Sequence, residues 1–202
     1  MFFNGTSDFV DLGSSGAIAA ATATFSAACY FKREKTTGLT AMVCDNTNAA
    51  QNHWYFQVNG PGRSLLTTII TSTGSKALVG TSGVPMNTWC HAVLTYDGAT
   101  ITWYFNGLFD NSTTHTGTVL ASTSGVLIGS GSAPIGGAFR YFGGNIAEVK
   151  YWDRAISSKE KELLFFDDYN DAGMRTNLAG EWLLNGTAND TAGGNNGRSL
   201  IT

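Results

Sequence analysis

One stretch of the chain combines side chains that hold sugars. CDNTNAAQNHWY (Cys44 to Tyr55) sets Asp45, Asn46, Asn48, Asn52 and His53 beside the aromatic Tyr55. Carboxylates and amides bond sugar hydroxyls, and an aromatic ring offers a platform to the apolar face of a sugar. The same residues suit an ordinary polar hairpin loop with Trp54 in the core, and both readings stand. FDNSTTHTG (Phe109 to Gly117) is a second, less specific stretch of the same kind. A third stretch has the chemistry of a hard cation. NGTANDTAGGNNG (Asn185 to Gly197) concentrates Asn189, Asp190, Asn195 and Asn196 among glycines. Ca²⁺ needs such oxygen ligands on a bendable backbone. Asn, Asp and Gly also simply make turns, so this segment too keeps two readings.

Catalytic chemistry is harder to find. Glycoside hydrolysis needs two carboxylates at a fixed separation across the scissile bond. The five glutamates are Glu34, Glu148, Glu160, Glu162 and Glu181. No E-x-D-x-E or E-x-D-x-x-E pattern occurs. Along the expected strands Glu148 and Asp153 are the nearest pair, and their odd spacing puts them on opposite faces of a straight strand. His91 lacks a nearby nucleophile signature, adjacent Cys90 points to the other face, and a packing role is expected for it. IGSGSAPIGG (Ile128 to Gly137) lacks the lysine and helix of a phosphate loop. The chain is therefore expected not to be an enzyme.

The elements that position these residues follow from periodicity. Phe25, Ala27, Cys29 and Phe31 fall on one face of a strand, as do Trp54, Phe56 and Val58. WCHAVLTY (Trp89 to Tyr96) and ITWYFNG (Ile101 to Gly107) are joined by Asp97, Gly98 and Ala99, which predicts a hairpin. Further strands are expected over Ser64–Ser72, Lys76–Gly80, Gly125–Gly129 and Phe142–Trp152. One short helix is expected, capped by Ser157 or Ser158 with Glu160 in its first turn and Leu163, Leu164 and Phe166 on its apolar side. The residues Asp167 to Asn177 read as a loop. Many short strands at regular spacing predict a two-sheet β-sandwich.

Composition sets the outer limits. The chain has 202 residues, 13% of them charged and 43% hydrophobic, with a net charge of −3. That fits one globular domain over 1–202 and not a disordered chain. Lys32, Arg33 and Lys35 form the only tight basic group, interrupted by Glu34, so no nucleic-acid footprint is present. No apolar run is long enough to span a bilayer, and no signal peptide is expected. Cys29, Cys44 and Cys90 are expected to be buried free thiols, with one disulfide plus one free cysteine as the alternative.

Four segments in order resemble the laminin-G-like, pentraxin-like branch of the concanavalin A-like lectin/glucanase superfamily. FNGTSDFVDLG (Phe3 to Gly13) resembles its early strand pair. NTWCHAVLTYDGATITWYFNG (Asn87 to Gly107) resembles its central hairpin, with Cys90 replacing the first histidine of the usual pair. FGGNIAEVKYWDRAISSKEKELLF (Phe142 to Phe165) resembles its strand-then-helix ending, and LAGEWLLNGTANDTAGGNNGRSL (Leu178 to Leu200) a segment that precedes the early strand in many relatives. That altered order implies a circular permutation, or a C-terminal segment (178–202) that pairs with a neighbouring subunit. The resemblance implies an all-β jelly-roll sandwich of two antiparallel sheets. It also implies a structural Ca²⁺ ion, with Asp190 at the family's aspartate position and Asp8, Glu148 and Asn195 adding ligands.

Two functions are expected on these grounds. The first is a non-catalytic lectin-like carbohydrate-binding or adhesion module, facing a glycan on a cell or particle surface. The alternative is a structural or decoration protein of a phage or virus, associated with a capsid or tail, with a protein shell or homo-oligomer as partner. Either places the chain outside the cell or on a virion, with no nucleic-acid partner and no membrane insertion.

Overall fold

Period-two alternation decides most of the strands, and the structure, a computed structural model, describes residues 1–35, 40–45, 53–60, 63–122, 125–131, 140–166 and 172–202. In chain order these form β1 (Phe2–Asn4), β2 (Phe9–Asp11), β3 (Phe25–Arg33), β4 (Thr40–Asp45), β5 (Tyr55–Val58), β6 (Leu65–Thr71), β7 (Gly74–Val79), β8 (Cys90–Tyr96), β9 (Thr100–Phe105), β10 (Leu108–Thr114), β11 (Val126–Ile128), β12 (Gly143–Trp152), helix α1 (Ser158–Phe165), β13 (Leu178–Trp182) and β14 (Arg198–Leu200). Every pairing is antiparallel. The first sheet runs β1-β12-β3-β8-β9-β10, with β13 also on β12. The second runs β14-β2-β11-β4-β5-β6-β7. The expected jelly-roll sandwich of two antiparallel sheets is borne out.

The core lies between the sheets. Phe25, Ala27, Cys29 and Phe31 of β3 all enter it, as do Trp54, Phe56 and Val58. Phe25 stacks on Tyr151 at 5.8 Å, Trp54 stacks on Tyr151 at 6.0 Å, and Phe56 meets Trp103 at 4.7 Å. Such ring pairs add to the burial that drives the two sheets together. Cys29, Cys44 and Cys90 are free and buried. Burial raises all three thiols, Cys90 to about 11, so none is a thiolate at neutral pH.

Two short strands share one edge of β12. β1 pairs with Gly143–Asn145 and β13 with Val149–Trp152, while β3 takes the other edge. The Met1 ammonium sits at the junction and donates to Ile146 O and Leu184 O, both at 2.8 Å. β14 pairs with β2. Both strands of the C-terminal segment thus have partners within the chain, one in each sheet.

Helix α1 begins where the sequence expects it. Ser157 is the N-cap: its Oγ accepts from the Glu160 N–H, and its own N–H donates to Glu160 Oε2 at 2.7 Å. Leu164 packs with Ala28, Val93, Trp152, Ile156 and Met174 on the outer face of the first sheet. Ser157→Ala is expected to cost about 1 kcal/mol, seen as a fall of roughly 3 °C in thermal unfolding. Phe166 does not join the apolar side. It follows the last helical residue and is 75% exposed, while Phe165 turns inward toward His91 at 6.1 Å.

Candidate functional site

A bulge in β4 builds the outer face of the second sheet. The register of β4 on β5 shifts between Ala41 and Val43. As a result Ala41 and Cys44 leave the core and cluster with Tyr55 on the outside, with Leu66 packed against them. Gln57 lies two residues from Tyr55, on the same face, and its Oε1 accepts from Arg140 Nη1 at 3.0 Å. The Tyr55 hydroxyl meets the Thr68 hydroxyl. Burial raises the Tyr55 phenol, against the opposing pull of Thr68 and Arg140, so it stays protonated.

Three of the six expected sugar ligands, Asp45, His53 and Tyr55, lie among the described residues, and all three are buried. Asp45 ends β4 and is buried; its Oδ2 accepts from the His53 N–H at 3.3 Å. His53 Nδ1 stands 3.0 Å from the same oxygen. Asp45 and His53 thus spend polar atoms on each other at the foot of the hairpin, and Tyr55 stands on the adjoining face. Asn46, Asn48 and Asn52 lie outside the described residues. Sequence reasoning missed Gln57 and Arg140, because only the sheet register brings a residue 83 positions away onto Gln57. Of the Phe109–Gly117 stretch, the first six residues belong to β10, an edge strand with polar side chains on its wet face.

The expected calcium ligands are not gathered, and their chemistry does not fit the ion. Asp190 Oδ1 accepts from the N–H groups of Glu181, Ala192 and Gly193, and Oδ2 from that of Asn195, all at 2.8–3.0 Å. Four donors aimed at one carboxylate occupy the positions a cation needs. Asn195 donates Nδ2 to Ser15 O. Asp8 accepts from Asn4 N–H on one oxygen and from the Thr202 N–H and hydroxyl on the other. Glu148 is 2.7 Å from Lys150 Nζ. No group of three or more His, Cys, Asp or Glu side chains among the described residues could hold a metal.

The acid/base expectation needs one amendment. β12 is not straight: its register on β3 shifts between Ala147 and Lys150, and Glu148 has φ +49°. Parity counting from Glu148 to Asp153 therefore fails across the bulge, and Glu148 Oε2 lies 2.7 Å from Lys150 Nζ. His91 does pack as expected. It is buried, its ring lies 4.4 Å from Tyr30, and burial, with Lys150 nearby, lowers it to about 3, so it stays neutral.

The family model for the concanavalin A-like lectin/glucanases superfamily matches residues 4–160. The chain belongs to this superfamily. Its fold is that of a candidate carbohydrate-binding protein from Bacteroides ovatus, with a TM-score of 0.74 and 16% identity over 99% of this chain and 59% of that one. It is also that of the CBM40 of the Ruminococcus gnavus IT-sialidase bound to α2,3 sialyllactose (TM-score 0.68, 14% identity, 82% of this chain and 95% of that one). The heptameric SAP-like pentraxin of Limulus polyphemus is a third (TM-score 0.62, 16% identity, 81% and 80%). No curated protein matches the sequence. The superfamily match takes in the early strand pair, the central hairpin and most of the strand-then-helix ending; the segment from Leu178 lies beyond it.

Proposed function

We propose that this chain is a non-catalytic, lectin-like carbohydrate-binding module that works on a cell or particle surface, outside the cell or on a virion. The observation that carries the reading is that Tyr55 and the Gln57–Arg140 pair share the outer face of the second sheet, beside the buried Asp45–His53 pair at the hairpin end; Tyr55 and Gln57 are themselves buried, and Arg140 is the partly exposed polar group of the set. An aromatic ring beside fixed amide, guanidinium and carboxylate groups is what a polyhydroxylated ligand requires. Superfamily membership and the fold shared with the B. ovatus carbohydrate-binding protein and the R. gnavus CBM40 support it.

The glutamates support a binding role over hydrolysis. Glu34 pairs with Lys32, Glu148 with Lys150, Glu160 with Arg154 and Glu181 with Arg175. The Arg154 hydrogen bonds outweigh burial and hold the Glu160 carboxyl at about 2, far too low for a general acid at neutral pH. Among the described residues no helix is long and apolar enough to cross a membrane.

A glycan array tests this. The wild-type protein is expected to bind at least one glycan class, and Arg140→Ala to weaken that binding about tenfold, the loss of one charge-assisted contact. A wild-type protein that binds nothing on the array, or that releases reducing sugar from a β-glucan, overturns the reading. The second reading, a phage or virus decoration protein, is favoured by a different surface. Leu108, Phe109 and Phe166 are 62–75% exposed, and Leu108 and Phe166 line one apolar groove with Phe165. A protein that elutes as a monomer and has no affinity for a larger shell counts against it.

A further inference from the structure

The outer face of the first sheet is only partly covered by α1, and the uncovered part holds a cleft of about 340 Å³ lined by Tyr30, Trp89, Ala147 and Glu148. Strand parity makes this lining. Cys90, Ala92 and Leu94 point into the core, so Trp89 and His91 point out. Phe31 points in, so Tyr30 and Lys32 point out, with Tyr30 opposite Ala147 and Lys32 opposite Asn145.

The cleft is rigid before any ligand arrives. The Tyr30 hydroxyl lies 3.0 Å from Leu164 O and 2.8 Å from Phe165 O, which fixes the ring against the helix end. Glu148 sits in the bulge with φ +49°, where its N–H donates to Leu183 O and its Oε2 meets the buried Lys150 Nζ at 2.7 Å. Trp89 is the exception to burial. It is 50% exposed, while Trp54, Trp103, Trp152 and Trp182 are 0–3% exposed. The half-bare indole stands with that ordered carboxylate in the cleft lining.

The charges decide what fits. Glu148 is paired with Lys150, and next to them Lys32 Nζ lies 2.9 Å from Glu34, whose Oε1 also accepts from Asn145 Nδ2 at 3.3 Å. Each carboxylate carries its own ammonium, so the site offers no net charge to an anionic or a cationic ligand. It still offers acceptor capacity, because an ionised carboxylate has about four lone-pair sites and Lys150 needs one. An apolar plate, neutral surroundings and acceptors at the rim suit a ring with one CH face and donating hydroxyls. The volume is at the low end of the range for small-molecule sites, about 300–1,000 Å³. We propose that this cleft is a second saccharide site, on the opposite sheet from the first, which stacks a neutral pyranose of a mono- or disaccharide on Trp89 and bonds its hydroxyls through Glu148.

This site stands on its own residues, so it holds or fails apart from the second-sheet site. The test uses the full chain with lactose and cellobiose as neutral probes and 3′-sialyllactose as an acidic one. Only Trp89 is open to acrylamide among the five tryptophans, so protection of quenchable emission by a probe reports this cleft. Saturation-transfer NMR reports contact with the sugar CH protons. A neutral disaccharide is expected to protect the emission and receive saturation. Read by saturation transfer in the Arg140→Ala background, Trp89→Ala is expected to weaken binding at least about tenfold and Trp89→Phe to keep part of it, while the protection of Trp89 emission in Arg140→Ala alone equals that in the wild type. The proposal is overturned if neither neutral sugar protects Trp89. It is equally overturned if sialyllactose is preferred there, or if Trp89→Ala, shown folded by its thermal transition, binds as the wild type does. Loss in Arg140→Ala with no loss in Trp89→Ala keeps the second-sheet reading and removes this one.

Discussion

Replacing Asp190 by alanine is expected to destabilise the fold by about 3 kcal/mol and to lower the unfolding temperature by roughly 6–12 °C. The carboxylate ties four backbone N–H groups of the C-terminal segment, and each hydrogen bond to a charged group is worth about 1.5–3 kcal/mol before solvent and non-additivity reduce the sum. The same loop places Asn195 O on the Trp182 indole N–H at 3.0 Å, so its loosening reaches a fully buried tryptophan. Asp190→Asn keeps an acceptor oxygen and is expected to recover part of the loss. The pH dependence has a definite sign. Burial pushes the Asp190 carboxyl up, but the backbone hydrogen bonds pull it further down, so its folded value lies below the ordinary one. Its contribution is then fully present above the ordinary carboxylate value and is lost as pH falls through the folded value. Thermal unfolding of wild type and Asp190→Ala should show a gap at neutral pH that closes in acid.

That carboxylate also explains why the metal expectation was reasonable and did not fit. Aspartate among Asn and Gly is the composition of a calcium loop and of a tight turn alike. The difference is whether backbone N–H groups or oxygen atoms converge on the carboxylate, and that is set by φ and ψ through 190–195, which residue types leave open. The strands were legible for the opposite reason. β3, β5, β8 and β9 alternate cleanly because one face of each is core, and the helix start was legible because Ser157 and Glu160 form a capping box in the sequence itself. β4 and β10 did not stand out. A bulge between Ala41 and Val43 breaks the period of β4, and β10 is an edge strand with polar residues on its wet face. Site residues divide the same way. Asp45, His53 and Tyr55 are local to one hairpin and could be read together. Arg140 and the Tyr30–Trp89–Glu148 cleft depend on which strands lie side by side, which a single sequence does not state.

The strand register that makes the cleft can be broken at one atom. Gly144 pairs with Arg33 across β12 and β3 and has φ +136°. A Cβ there would lie 2.1 Å from Lys32 O and 3.1 Å from Arg33 Cα, so the obstacle is backbone, not a flexible side-chain end. Gly144→Ala therefore has to open the ladder at the Gly144–Arg33 row, next to the one that carries Lys32 and Asn145. The expected cost is about 4 kcal/mol or more, which puts it among the largest single-residue effects and makes poor folding an acceptable outcome. Gly74→Ala separates the two causes. Gly74 has φ +130° but nothing within 4 Å of its Cβ, so only the backbone strain remains, about 1–3 kcal/mol. Denaturant unfolding should show Gly144→Ala losing clearly more than Gly74→Ala. Equal losses would mean that strain alone acts at Gly144 and that the β12–β3 row can absorb the added carbon. Where Gly144→Ala still folds, acrylamide should quench Trp89 more freely than in the wild type, because the Asn145–Ala147 wall is no longer held against Lys32 and Tyr30.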